Sequence, residues 1–269
     1  MITKAVNVMD TFELKREQLR LAAKVELRDD CTTVKTIGGA ECLAYGSKLL
    51  ASVVVCEFPS LKVLEHKTYF LSDALPYQPG FTAYREMPAL IEAYNQLEQE
   101  PDILMVKGEG ILHPRRIGLA SHLGLALNKA TFGIQENLFI GTVEQGKIFL
   151  NNELVGFEVM TREHAKSLYI SPGHLVSLGS ILRLTKETLR FPHKMPEPLH
   201  LAHKLGKRIL KEKILSIKHQ NTNTQKSEVL NLNEIKNHKF QTEKEEIEIK
   251  EEATASLEKI QEGVKESGE

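Results

Sequence analysis

The chain has 269 residues, 41% of them hydrophobic, which suits one sizeable domain with an appendage and leaves too little for two full domains. Three cysteines without C-x-x-C spacing (Cys31, Cys42 and Cys56), no secretory-type leader and no apolar run longer than Leu49 to Cys56 argue against a disulfide framework and a membrane segment, so a cytoplasmic setting is expected. The net charge of −1 divides into 7 Lys/Arg against 12 Asp/Glu from Asn221 onward and 28 against 24 before it: an acidic tail and a mildly basic body, compatible with a nucleic-acid partner and equally with an ordinary mixed surface.

Residues 12–27 carry Phe12, Leu14, Leu19, Ala22, Ala23 and Leu27 at mostly helical spacing among Lys and Glu, which predicts an amphipathic opening helix. Thr33 to Leu43 alternates around Gly38-Gly39, and the β-branched run Lys48 to Cys56 fits an antiparallel strand beside it. A third strand is expected within Val63 to Leu71. Pro76 and Pro79 then flank Tyr77 and Gln78, which stiffens this stretch and presents an aromatic ring on a surface turn. Gly80 permits close backbone approach. The following helical pattern, Met87, Leu90, Ile91, Tyr94 and Leu97, puts Glu86 in a first turn, where a carboxylate complements the helix dipole.

Ile103 to Val106 is a short apolar run bounded by Pro101-Asp102 and broken by Gly108 and Gly110, the pattern of a buried strand ending in a tight loop. The loop carries His113, Pro114, Arg115 and Arg116 before Leu119, Leu123 and Leu127 mark a helix. Its cations thus arrive at a helix N-terminus, a corner suited to phosphate. Ala130 to Ile134 is another buried strand and runs directly toward Glu136. Residues 142–159 alternate around two turns and read as strands, while 167–184 give a strand, a Ser-Pro-Gly-His turn and a helix. From about Gln220 the chain is too poor in large apolar groups to offset its ordering entropy. The expected division is a domain over residues 1–218 and a charged, low-complexity tail, disordered or helical, over 219–269.

Taken together and in order, the passages GGAECL, PYQPGFTAYREMPAL, KGEGILHPRRIGLASHLG, SPGH and RFPHKMPEPLHLAHKLGKRIL resemble the endonuclease V family, nucleases that cut nucleic acid beside deaminated bases such as hypoxanthine. The resemblance covers about residues 10–210. It implies an RNase H-like α/β fold, a mixed central sheet flanked by helices. It also implies Mg²⁺ or Mn²⁺ on clustered carboxylates, to activate water and stabilise charge on the phosphate. The first family aspartate falls on Glu41 and the second on Lys107. The family's glutamate, histidine and lysine fall on Glu86, His113 and Glu136, and SPGH places His174 near the site. Tyr77 matches a wedge beside an extruded base. Gly80, Gly108, Gly110 and Gly118 are the positions where backbone would approach a flipped purine, with Arg115 and Arg116 binding the strand.

Two departures from the family pattern carry the functional question. Glu41 keeps its charge and adds a methylene. Lys107, a donor-only cation, cannot ligate a metal while protonated, and Glu136 stands where the family has lysine, so the charges have exchanged between two strands expected to be neighbours. One reading is a relocated metal set of Glu41, Glu86 and Glu136. The other is a Lys107–Glu136 ion pair that merely ties two strands together. The expected function is therefore metal-dependent cleavage near a deaminated purine, such as inosine, in DNA or RNA. Binding such nucleic acid without cutting it is the alternative, and a protein partner recruited through the tail is a third possibility.

Overall fold

The β-branched runs near the N-terminus form three antiparallel strands, β1 (Thr36–Tyr45), β2 (Lys48–Glu57) and β3 (Val63–Leu71). The structure, a computed structural model, describes residues 11–30, 33–162 and 164–222, with side chains as far as Leu215. The chain divides after Ile214, and of the second unit only the helical stretch ending at Thr222 is described. Most of the expected tail, and Cys31, therefore lie outside the described residues.

Helix α1 (Thr11–Ala22) precedes the sheet, and α2 (Thr82–Tyr94) links β3 to β4 (Ile103–Lys107). Helix α3 (Leu119–Leu127) links β4 to β5 (Ala130–Gln135). Strands β6 (Thr142–Glu144), β7 (Lys147–Leu150), β8 (Glu153–Val159) and β9 (Leu168–His174) follow, then α4 (Leu178–Glu187) and α5 (Glu197–Thr222). The nine strands form one mixed sheet in the order β3-β2-β1-β4-β5-β9-β8-β7-β6, with β1, β4 and β5 parallel at its centre.

Period-two alternation divides the central strands between two cores. Ile37, Ile103, Met105, Phe132 and Ile134 pack in one cluster with Ile181 and Leu184 of α4 and Leu199 and Ala202 of α5. Ala40, Leu104 and Val106 pack on the other face with α2 and α3. The same alternation puts Glu41, just past the part of β1 paired with β4, Lys107, the last residue of β4, and Glu136, the residue after β5, on the α5 face. Helix α5 comes down onto β1 because Gly39 has no side chain: a Cβ there would lie 2.3 Å from the Pro198 carbonyl. Ser52 Oγ, donating to Ala202 O at 2.9 Å, fastens the helix to β2. No described helix is long and apolar enough to cross a membrane.

Three local expectations are corrected. Helix α1 stops at Ala22 instead of reaching residue 27, because the next residues strap β9 and α4. Leu175 N donates to Glu26 O at 2.8 Å, and the Asp29 carboxylate accepts from Ser177 and Ser180. The Ser-Pro-Gly-His segment is not a turn but the end of β9. A register shift between Thr131 and Phe132 accommodates Pro172, whose carbonyl accepts from Ile111 N at 2.7 Å. Finally, Glu86 lies past the first turn of α2, which begins at Thr82, so capping does not explain it.

Candidate active site

Parallel pairing sets Ala40 beside Val106 and Lys107 beside Ile134, which brings Glu41, the residue after Ala40, and Glu136, two residues after Ile134, close to Lys107. Lys107 Nζ donates to Glu136 Oε2 at 2.7 Å. A second ammonium, Lys194 Nζ from the segment before α5, donates to the other oxygen, Oε1, at 2.9 Å. Burial alone would raise the Glu136 carboxyl, but the bonds and charges of the two lysines bring it down to about 2. Glu41 is 8% exposed, and His203 Nδ1 of α5 lies 2.9 Å from its Oε2. Burial pushes the Glu41 carboxyl up, opposed by His203 and Lys107.

Glu86 approaches from α2, on the other face, where its carbonyl accepts from Cys42 Sγ at 3.7 Å. Its carboxyl is pushed up to about 7 by burial, with Arg85 opposing and Glu109 and Glu41 adding repulsion. Glu109, in the loop after β4, is also raised by burial. The charges of Glu41, Glu86, Lys107 and Glu136 thus act on one another at one end of the central strands. They do not assemble the expected metal set of Glu41, Glu86 and Glu136: among the described residues no three His, Cys, Asp or Glu side chains are grouped to hold a metal ion. The reason is local. Both oxygens of Glu136 face lysines, Glu41 is turned to His203, and Glu86 starts from the opposite side of the sheet.

The Gly80 carbonyl, at the end of the Pro76-Tyr77-Gln78-Pro79 segment, is held by three donors from two separate elements. Gln18 Nε2 of α1 lies 3.0 Å away, Arg115 Nη2 2.7 Å and His113 Nε2 3.2 Å. Arg115 also donates through Nε to Gln18 Oε1 and lies over the Phe81 ring at 4.8 Å. His113 accepts the Arg115 backbone N–H at Nδ1, so its neutral ring carries the proton on Nε2 and donates it to Gly80. Burial, aided by the Arg115 charge, lowers His113 to about 4, which keeps the ring neutral. Gly80 has a φ of +75°, where a side chain would be strained. Tyr77, 61% exposed, is therefore carried on a turn pinned to the loop after β4.

That loop is closed upon itself. Gly118 N donates to Gly110 O and Ala120 N to Glu109 O, both at 2.8 Å, which uses donors at the start of α3 where a phosphate was expected. Arg116 is paired with Glu153 at 2.9 Å. The bare faces of Gly110 and Gly118 are filled by the protein: a Cβ would lie 2.0 Å from Pro172 O and 2.5 Å from Glu109 Cβ. At Gly108 it would meet Leu119 at 3.2 Å. His174 does not join the acidic cluster. It pairs in register with Thr131, near the start of β5, and its Nδ1 accepts from Glu26 N at 3.2 Å.

Lys194, His203 and Glu109 were not among the expected site residues. His203 lies within the closing passage that resembles the family, RFPHKMPEPLHLAHKLGKRIL, and could have been singled out from it. Glu109 and Lys194 carry no such signal.

A sheet of this order, with ionisable groups gathered at the C-terminal ends of its parallel central strands, is the architecture of RNase H-like nucleases. The family model for endonuclease V matches residues 19–204, and the chain belongs to the endonuclease V family. It is 32% identical over 213 residues to an endonuclease V of Dictyoglomus turgidum, covering 76% of this chain and 92% of that protein. With the crystal structure of the catalytic domain of human endonuclease V it shares 28% identity and a TM-score of 0.69, over 77% of this chain and 98% of the other. An endonuclease V of Ciona intestinalis, solved with a 24mer DNA containing an inosine followed by a ribo-adenosine, superposes with a TM-score of 0.68. It is 24% identical, over 75% of this chain and 98% of that one.

Proposed function

We propose that this protein is an endonuclease V-type phosphodiesterase directed at a deaminated purine, such as inosine, in DNA or RNA. The observation that carries this reading is the Gly80 carbonyl held by Gln18, His113 and Arg115, which fixes an exposed tyrosine beside the loop leading from the ionisable cluster. An aromatic ring on a rigid turn can fill the gap an extruded base leaves in a stack. The ionisable cluster at the start of the loop that holds this turn would then act on the neighbouring phosphodiester. His113 and Arg115 serve as positioning residues for that turn, and Glu41, Glu86, Lys107 and Glu136 line the reacting end. The family relationship supports the substrate class, since a relative of the same fold has been solved on an inosine-containing strand. The Mg²⁺ or Mn²⁺ implied by the family has no grouped ligand set among the described residues.

A second reading, recognition of such nucleic acid without cleavage, is favoured by the two lysines that occupy Glu136. Cleavage assays on inosine-containing DNA and RNA strands, with Mg²⁺ or Mn²⁺ and with EDTA, run beside binding assays on the same strands, decide between the two. Both readings expect the wild type to prefer an inosine-containing strand and Tyr77→Ala to lose that preference. Equal wild-type affinity for inosine-containing and ordinary strands overturns the base-directed reading.

A further inference from the structure

We propose that Lys107 and Lys194 form a built-in cationic clamp that takes a phosphate of the nucleic-acid strand where a bound divalent cation would otherwise serve, with Glu136 holding both ammoniums at one spot. The inference rests on the nucleic-acid reading above. A single Lys107–Glu136 pair would suffice to tie β4 to β5 and would leave the spot neutral. The structure adds a second ammonium from a different part of the chain, so that two cations share one carboxylate, at 2.7 and 2.9 Å. Both lysines are largely covered, with side chains 25% and 20% exposed, so their positions are set by packing as well as by charge.

Each ammonium has three donors and gives one to Glu136, which leaves donors for an incoming anion. Lys107 Nζ otherwise reaches Met195 Sδ at 3.8 Å, a weak acceptor that a phosphate oxygen would readily displace. The other cations proposed for the strand are committed elsewhere: Arg115 to Gly80 and Gln18, Arg116 to Glu153. The donors at the start of α3 are used by the loop's own carbonyls. Among the described residues no three His, Cys, Asp or Glu side chains are grouped to hold a metal ion beside the clamp.

The test measures affinity of the full chain for inosine-containing and ordinary single strands against salt, in EDTA and then with Mn²⁺, together with Mn²⁺ uptake by calorimetry. The clamp predicts that EDTA leaves wild-type affinity unchanged and that the wild type takes up no Mn²⁺. It predicts that Lys107→Gln and Lys194→Gln each lower the slope of log K against log salt by about 0.7, the value for one phosphate contact on a single strand. Lys194→Arg, which keeps the charge, should hold the slope, and thermal melts confirm that each variant is folded. The double exchange Lys107→Asp with Glu136→Lys should create Mn²⁺ uptake. If the wild type binds strands while both Gln variants keep its slope, or if Mn²⁺ uptake tightens wild-type binding, the clamp is overturned alone. A wild type that binds no strand overturns the nucleic-acid reading and the clamp with it.

Discussion

Replacing Glu86 with glutamine reads out how much the acidic cluster strains the fold. Its carboxyl ionises at about 7 where an ordinary glutamate ionises at 4.5, because burial strips water from the charged form and Glu109 and Glu41 repel it. The folded protein therefore holds this proton more tightly than the unfolded chain does. The resulting stabilisation is complete below pH 4.5 and is lost as the pH rises through 7. At about 1.36 kcal/mol per pH step, the charged form costs on the order of 3 kcal/mol at pH 8 and less than about 1 kcal/mol at pH 5. Glutamine has nearly the same shape and no charge to desolvate. Glu86→Gln should accordingly stabilise the protein by up to about 3 kcal/mol at pH 8 and by under about 1 kcal/mol at pH 5. Urea unfolding in EDTA at the two pH values, with m unchanged, measures both differences. No gain at pH 8, or the same gain at both values, refutes the argument.

Arg115→Ala removes a 2.7 Å bond to Gly80, the contact with Gln18 and a guanidinium over Phe81. It should cost about 2–4 kcal/mol in urea unfolding, with Arg115→Lys recovering little, since lysine lacks the planar fork. A loss below about 0.5 kcal/mol would show that the Gly80 anchor contributes nothing to stability. Glu136, depressed to about 2, contributes stability that is present above the ordinary value of 4.5 and is lost as the pH falls through about 2. Glu136→Gln should therefore flatten the acid limb of a pH titration followed by circular dichroism, and an unchanged limb between pH 4 and 2 contradicts the double lysine pairing.

The centre of the sheet was legible because β1 lies in an alternating segment and β4 and β5 are short apolar runs, β4 bounded by breaking residues. Lys107 and Glu136 follow two such apolar runs, and the resemblance to an RNase H-like sheet makes those strands neighbours, so the exchanged charges were legible as a pair. Alternation does not say what arrives from elsewhere in the chain. Lys194 meets Glu136 across 58 positions and His203 meets Glu41 across 162, and both contacts depend on where the closing helix lands. The fate of Arg115 was hidden for the same reason. Its position in HPRR resembles a phosphate contact, yet Gln18, 97 positions earlier, turns it inward. The strand character of Ser-Pro-Gly-His was missed because proline and glycine usually break a strand, whereas here a shift in register absorbs them.

The seating of α5 on Gly39 bears on the order in which the molecule is made. A nascent chain exposes β1 early, and domains fold as units while synthesis proceeds from the N-terminus. A product halted at Thr188 contains every described strand of the sheet. It lacks Lys194, His203 and all of α5, so Gly39, Glu41 and the apolar side chains that Leu199 and Ala202 cover are left open. Such an intermediate has a partly exposed sheet face and an acid cluster with two of its partners missing, the kind of surface that invites association with other chains. Closure therefore waits for α5, and the polypeptide cannot acquire a finished centre until almost all of the described core has emerged.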